Sequence, residues 1–161
     1  MALVELLLPA LPEHVRTARL VVVTTARRAG LDDALLDELR LAVGEACTRA
    51  VGLHARHAPD DRVRITVTDD VLGLTVTVHD CGPEAGPAVD DVATGLLDDE
   101  DVGDEDVSDE AIDPDVALAL LTGLVDEVEV SAEPGQGTTV RMRWPLPRRA
   151  DGRPLSQVPP V

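Results

Sequence analysis

Lysine, phenylalanine and tyrosine are absent from this chain, and Trp144 is its one aromatic residue. Its 161 residues are enough for one domain with a sizeable core. That core must be assembled from Leu, Val, Ala and Ile, and nothing supports stacking of nucleobases on aromatic rings. Every basic side chain is Arg, which fits the codon bias of a GC-rich genome, with halophilic adaptation as the alternative. Positive charge is scarce: the formal net charge is -17, which argues against holding nucleic-acid phosphates directly. Cys47 and Cys81 have no metal-ligand spacing and read as small buried hydrophobes. His14, His54, His57 and His79 form no ligand constellation, so no metal site is expected. No stretch is long and apolar enough to span a membrane. Met1 to Leu11 is apolar but lacks the basic start and small-residue cleavage site of a signal peptide. A cytoplasmic protein without membrane contact is the expectation.

What is present is regular. Val4 to Leu8 predicts a first strand, broken by Pro9 and Pro12. A helix follows from about Glu13 to Arg28, with Pro12 in its first turn and Gly30 ending it. Asp32 or Asp33 caps a second helix that runs to about His57. Arg62 to Thr68 and Leu72 to Val78 alternate with period two and predict an antiparallel hairpin. From Cys81 to Pro114 periodicity fails in a run of Asp, Glu, Gly and Pro with no Lys or Arg, read as a long mobile loop. A short helix over Val116 to Gly123, a strand over Val128 to Ala132, a turn, and a strand over Thr138 to Leu146 complete the pattern. This order predicts an α+β two-layer α/β sandwich, its helices on one face of a mixed, mostly antiparallel sheet. The domain is expected over residues 1–146, with 83–114 as an acidic lid-like loop and 147–161 as a Pro-rich disordered tail.

The chemistry-bearing segment is Gly44-Glu45-Ala46-Cys47-Thr48-Arg49-Ala50-Val51, late in the second helix. Glu45 and Arg49 are four apart and project from one helix face, while Leu39, Val43, Ala46 and Ala50 suit a core. The segment resembles the first ATP-site motif of the anti-sigma-factor kinases of the RsbW and SpoIIAB type. Those belong to the superfamily of histidine-kinase and gyrase ATPase domains, with the Bergerat fold. The resemblance covers about Leu7 to Pro145. It implies that Glu45 is the general base and that Arg49 stands where the family has a magnesium-holding asparagine.

Further motifs carry the resemblance on. Asp80-Cys81-Gly82 fits the first half of the family's Asp-x-Gly-x-Gly turn, whose aspartate reads the adenine amino group; Glu84 replaces its second glycine, with Gly86 close by. Taken alone, Asp80-x-Gly82 is also an ordinary strand-ending turn. Gly135-Gln136-Gly137-Thr138-Thr139-Val140 matches the strand start where a threonine supports the adenine pocket, which assigns Thr138 that place; a plain hairpin turn reads equally well. The two glycines of the phosphate loop align with Asp113 and Asp115, with Pro114 between. Like charges at about 4 Å cost roughly 1 kcal/mol in water and about 4 kcal/mol near a protein surface. Pro114 removes an N–H donor as well. The same three residues also make an acidic N-terminal helical turn. Between Arg64 and Arg141 no Lys or Arg could replace the lost donors, and Arg49 remains the one rescue: it is expected to pair with Glu45, Asp80, Asp113 or Asp115, or to contact phosphate in place of magnesium. Arg19 takes the position of a first-helix arginine that contacts the family's partners, or is a solvated helix residue.

The resemblance therefore implies an anti-sigma-factor-like regulator with a degenerate ATP site, acting by protein binding. Its expected partners are a sigma factor, a STAS-domain anti-anti-sigma factor, and a second copy of itself in a homodimer. No cofactor is expected, with ATP and Mg2+ entering only if the site functions. The alternatives are an active serine kinase phosphorylating a STAS-domain partner with Glu45 as base, and a signalling adaptor without a sigma factor.

Overall fold

The computed structural model describes residues 3–58, 60–70, 73–82, 114–133 and 135–147. The acidic segment 83–113 and the tail 148–161 lie outside the described residues, and with them the expectations of a lid-like loop and a disordered tail. In chain order the elements are β1 (Leu3–Pro9), α1 (Pro12–Ala29), α2 (Asp33–His57), β2 (Arg62–Asp69), β3 (Leu74–Asp80), α3 (Pro114–Leu124), β4 (Glu127–Glu133) and β5 (Gly137–Trp144). The strands form one sheet in the order β1-β2-β3-β5-β4. Every pairing is antiparallel, so the mixed sheet expected from the sequence shows only its antiparallel part. The short connections β2–β3 and β4–β5 account for two of these pairings, since neighbours joined by tight turns run in opposite directions.

Local chemistry sets the helix ends. Pro12 occupies the first turn of α1, where a missing N–H costs nothing. Gly30 ends that helix at φ 90, a left-handed conformation in which its N–H reaches the carbonyls of Ala26 and Arg27. Asp32, the first of the two candidate caps, accepts from the N–H of Ala34 at 2.9 Å and starts α2.

Strand alternation divides the sheet into two faces. Val63, Ile65 and Val67 of β2, Leu74, Val76 and Val78 of β3, and Val140, Met142 and Trp144 of β5 are all buried, the face that α1, α2 and α3 cover. On β2, β3 and β5 the opposite face is polar, with Thr66 beside Thr77, Thr68 beside Thr75, and His79 hydrogen-bonded to Thr139 at 2.9 Å, while Leu3 and Leu7 of β1 are exposed on it. Arg141 and Arg143 pair there across the strands with Glu129 and Glu127, exposed pairs of little energetic weight. The lone Trp144 is buried and donates from Nε1 to Glu38 Oε1 of α2 at 2.8 Å, which fixes the far end of the sheet to the helix layer.

One register differs from expectation in a way that matters. The strand predicted to end at Val78 continues through His79 and Asp80, because these pair with Thr139 and Thr138 of β5. Asp80 thus follows Leu74, Val76 and Val78 in the inward row and is buried. Gly137 opposes this strand end at φ 88, where an added Cβ would collide with the Asp80 carbonyl. Replacing Gly137 with Ala is expected to cost about 1–3 kcal/mol from the backbone conformation alone, with the collision adding to it. Urea unfolding would read this as a lowered midpoint; an unchanged midpoint would contradict the close approach.

Candidate functional site

Four of the buried polar residues gather where the end of β3 meets α2: Arg49, His54, Asp80 and Thr138. Asp80 is at the centre. Its Oδ1 accepts from the N–H of Gly82 at 3.0 Å, and its Oδ2 accepts from Nη1 of Arg49 at 2.7 Å. Both side chains of the ion pair are only 1% exposed. Of the carboxylates the sequence offered to Arg49, Asp80 is the one that pairs with it.

Arg49 faces inward because α2 is buried around most of its girth here: Ala42, Val43, Ala46, Cys47, Ala50 and Val51 all lie in the core. Glu45 and Arg49 share one side of α2 but differ in burial, Arg49 being the buried one. Glu45 is half-buried, and among the described residues it makes no hydrogen bond or ion pair. Small residues beside Arg49 let the helix approach the sheet closely enough for the guanidinium to reach Asp80.

The guanidinium is not fully satisfied. Its Nε and Nη2 have no hydrogen-bond partner, and neither does Oγ1 of Thr138. Thr138 lies directly opposite Asp80 in the β3–β5 register, so both project from the same face. Gly82 owes its identity to crowding: an added Cβ would lie 2.9 Å from Cβ of Leu53 on α2 and 3.1 Å from Oδ1 of Asp80.

His54, which fits no ligand constellation in the sequence, is fully buried and braces this corner. The N–H of Cys81 donates to its Nε2 at 2.8 Å, and its Nδ1 lies 3.2 Å from the carbonyl oxygen of Asp61. An accepting Nε2 requires the proton on Nδ1, which then donates to Asp61. One imidazole thereby ties the end of α2 to the turn before β2 and to the turn after β3. The signal was available in the spacing: Ala46 and Ala50 fit the core, and His54 is the next residue in that row.

The remaining assignments are mixed. Arg19, offered as a partner contact or a solvated residue, is half-buried and lies across α2, with its Cδ 3.2 Å from where a Cβ on Gly44 would stand. Asp113 lies outside the described residues, and Asp115 falls in the first turn of α3. Cys47 is buried as expected, and burial pushes its thiol up to about 12 against the opposing pull of Arg19. Cys81 departs from expectation: it follows the last residue of β3 and is exposed. Partial desolvation, then the Asp61 and Asp80 carboxylates, raise its thiol above the ordinary value, with Arg64 acting the other way. Among the described residues no cluster of His, Cys, Asp and Glu could hold a metal ion, and no helix is long and apolar enough to cross a membrane.

Comparison with known proteins places this geometry. Residues 8–144 match the histidine kinase-like ATPase domain. The serine-protein kinase RsbW of Bacillus pumilus (strain SAFR-032) is 33% identical over 157 residues, covering 87% of this chain and 83% of that protein. The proteins of the same name from Bacillus licheniformis and Bacillus velezensis (strain DSM 23117 / BGSC 10A6 / LMG 26770 / FZB42) are 30% and 31% identical. Each alignment covers 86% of this chain and 82% of the relative. The chain belongs to the RsbW-type anti-sigma-factor family of histidine kinase-like ATPase domains. The polar corner lies within the matched residues 8–144, and the Arg49–Asp80 ion pair sits at its centre.

Removing one partner of a buried pair strands the other charge. Arg49→Ala is therefore expected to lower unfolding free energy by about 3–5 kcal/mol in urea titration. The double variant Arg49→Met/Asp80→Asn is expected to lose clearly less, because Asn still accepts from Gly82 and no charge remains. Equal losses would show that the pair does not act as a unit. The two thiols give a separate check. In the folded protein a disulfide reagent at neutral pH is expected to modify Cys81 alone, and Cys47 only after denaturation; rapid reaction at both would contradict the burial of Cys47.

Proposed function

We propose that this chain is an anti-sigma-factor-like regulator that acts by binding proteins, with its nucleotide site filled by its own side chains. The observation that carries this reading is the 2.7 Å contact between Arg49 and Asp80. On the family's pattern, Asp80 would accept from the adenine amino group. Here its two oxygens already accept from Gly82 and Arg49. On the same pattern, position 49 would hold magnesium. A guanidinium has no lone pair for a metal and repels a divalent cation. The residues present therefore do not fit magnesium-ATP, and no phosphoryl-transfer step is derived through it. Asp at positions 113 and 115 adds negative charge where phosphates would lie.

On this reading Glu45 is a vestigial base, Gly82 and Thr138 are remnants of the adenine pocket, and no cofactor is used. The partners are a sigma factor or a STAS-domain anti-anti-sigma factor, together with a second copy of the chain. Arg19 contributes to the partner surface through its exposed portion. The setting is the cytoplasm, with no direct nucleic-acid or membrane contact.

A second reading, an active serine kinase, is favoured by one observation: Glu45 is not engaged by any described group and remains free to act as a base. Calorimetric titration with ATP and ADP, with and without magnesium, separates the two. No binding is expected at millimolar nucleotide. Tight magnesium-dependent binding would overturn the proposal in favour of the kinase. Mixing with purified sigma factors and STAS-domain proteins of the same organism is expected to give a stable complex without nucleotide on size exclusion. Absence of any complex would remove the regulator reading.

A further inference from the structure

Helix α3 is apolar on more sides than its packing uses. Of its side chains only those of Asp115 and Thr122 are polar. Ala117 and Leu121 are buried, and Val125 continues their row. Val116 and Leu120 sit one turn apart on another side, and they are 50% and 51% exposed. Ala119 and Gly123 are exposed beside them, and a Cβ built on Gly123 would meet no neighbour. A helix that is apolar all round is ordinarily covered all round. The described residues leave this side of α3 uncovered.

The C-terminal end of the same helix is negative. Carbonyls at a helix C-terminus carry partial negative charge, and the last turn of α3 holds no basic residue. Asp126 and Glu127 follow directly and are exposed. Beside them an open cleft of about 270 Å³ is lined by Asp126, Glu127 and Glu129 together with Arg141 and Arg143, three carboxylates against two guanidinium groups. The surface therefore suits a segment that is cationic where it meets Asp126 and apolar where it meets Val116 and Leu120.

One segment of this chain has that composition. Residues 148–161, outside the described part, carry Arg148, Arg149 and Arg153 against the single acid Asp151, in a protein of net charge -17. Apolar residues then recur at every third position, at Leu155, Val158 and Val161. The basic part comes first, as a segment entering from the acidic end of α3 requires. It enters there. Arg143 lies opposite Glu127 in the β4–β5 register, and Pro147 is four residues on, within roughly 14 Å. From Pro147 to Leu155 the chain can reach up to about 27 Å, whereas Val116 to Leu124 spans about 12 Å of helix.

We propose that the exposed side of α3, with the Asp126–Glu127 junction, is the docking site of residues 148–161 of the same chain. Arg148 and Arg149 meet the carboxylates, and Leu155 and Val158 cover Val116 and Leu120. The tether keeps the segment at high effective concentration, so it holds this face against weaker ligands. The proposal is independent of the reading of the nucleotide site.

Hydrogen exchange on the full chain tests it, with circular dichroism to confirm that each variant is folded. Leu155→Asp/Val158→Asp is expected to speed exchange of the α3 amides about ten-fold and to leave β2 and β3 unchanged. Arg148→Glu/Arg149→Glu is expected to give a smaller rise, which about 0.5 M salt imitates in the parent. From the other side, Leu120→Ser, at an exposed position, is expected to speed trypsin cleavage after Arg149 about three-fold or more. Identical α3 exchange in the parent and in Leu155→Asp/Val158→Asp would overturn the proposal. Protection that then fell on dilution would assign the face to a second copy. Fast exchange at every concentration would leave it to another protein.

Discussion

A guanidinium and a carboxylate, 2.7 Å apart and shielded from water, hold the end of the sheet against the long second helix. Burying either charge alone costs several kcal/mol, and their attraction repays this only with good geometry and further hydrogen bonds. The surroundings supply part of that. Gly82 donates to the second carboxylate oxygen, and it can do so because the absent side chain lets its backbone lie against Leu53. Gly137 permits the neighbouring strand to cross the Asp80 carbonyl. His54 fixes the following N–H at Cys81. Two close approaches and one tautomer therefore serve a single ion pair. The guanidinium edge left unsatisfied is where this arrangement is weakest.

The lack of aromatic residues shapes the same corner. Without Phe or Tyr, the space between helix and sheet is filled by small and branched side chains, among them Ala42, Ala46 and Ala50 on α2 facing Val76 and Val78 on β3. Small residues bring backbones close together, and a close backbone lets one long side chain span the gap. The same argument explains Arg19, whose stem lies over Gly44. Trp144 is the exception at the opposite end, where one large ring and one hydrogen bond to Glu38 do what several smaller contacts do elsewhere.

The sequence made the layer architecture legible through period-two alternation in β2, β3 and β5 and through end signals such as Pro12, Gly30 and Asp32. These are local, and local rules suffice for them. It also named Asp80 among the candidates for Arg49, since an arginine in the core of so acidic a chain calls for a carboxylate partner. It could not choose among them, because the two residues are 31 apart and their meeting depends on how closely α2 packs on the sheet. His54 went unread because its partners are backbone groups of two turns, which leave no mark in the side-chain pattern. Cys81 is exposed because it directly follows the last residue of β3, where no helix covers it, and the general tendency of free cysteines to be buried carries no information about that position. The register that buries Asp80 also exposes Cys81.

A site filled from within differs in kind from one filled by a ligand. A ligand shifts a conformational equilibrium only by the difference in its affinity for the two states. A nucleotide site can therefore report the nucleotide's identity to a partner surface elsewhere on the domain. An intramolecular ion pair is present at a fixed effective concentration, so by itself it transmits nothing about the cell. On the regulator reading, exchange between partners must then be set by their relative concentrations and affinities, not by phosphorylation or nucleotide turnover.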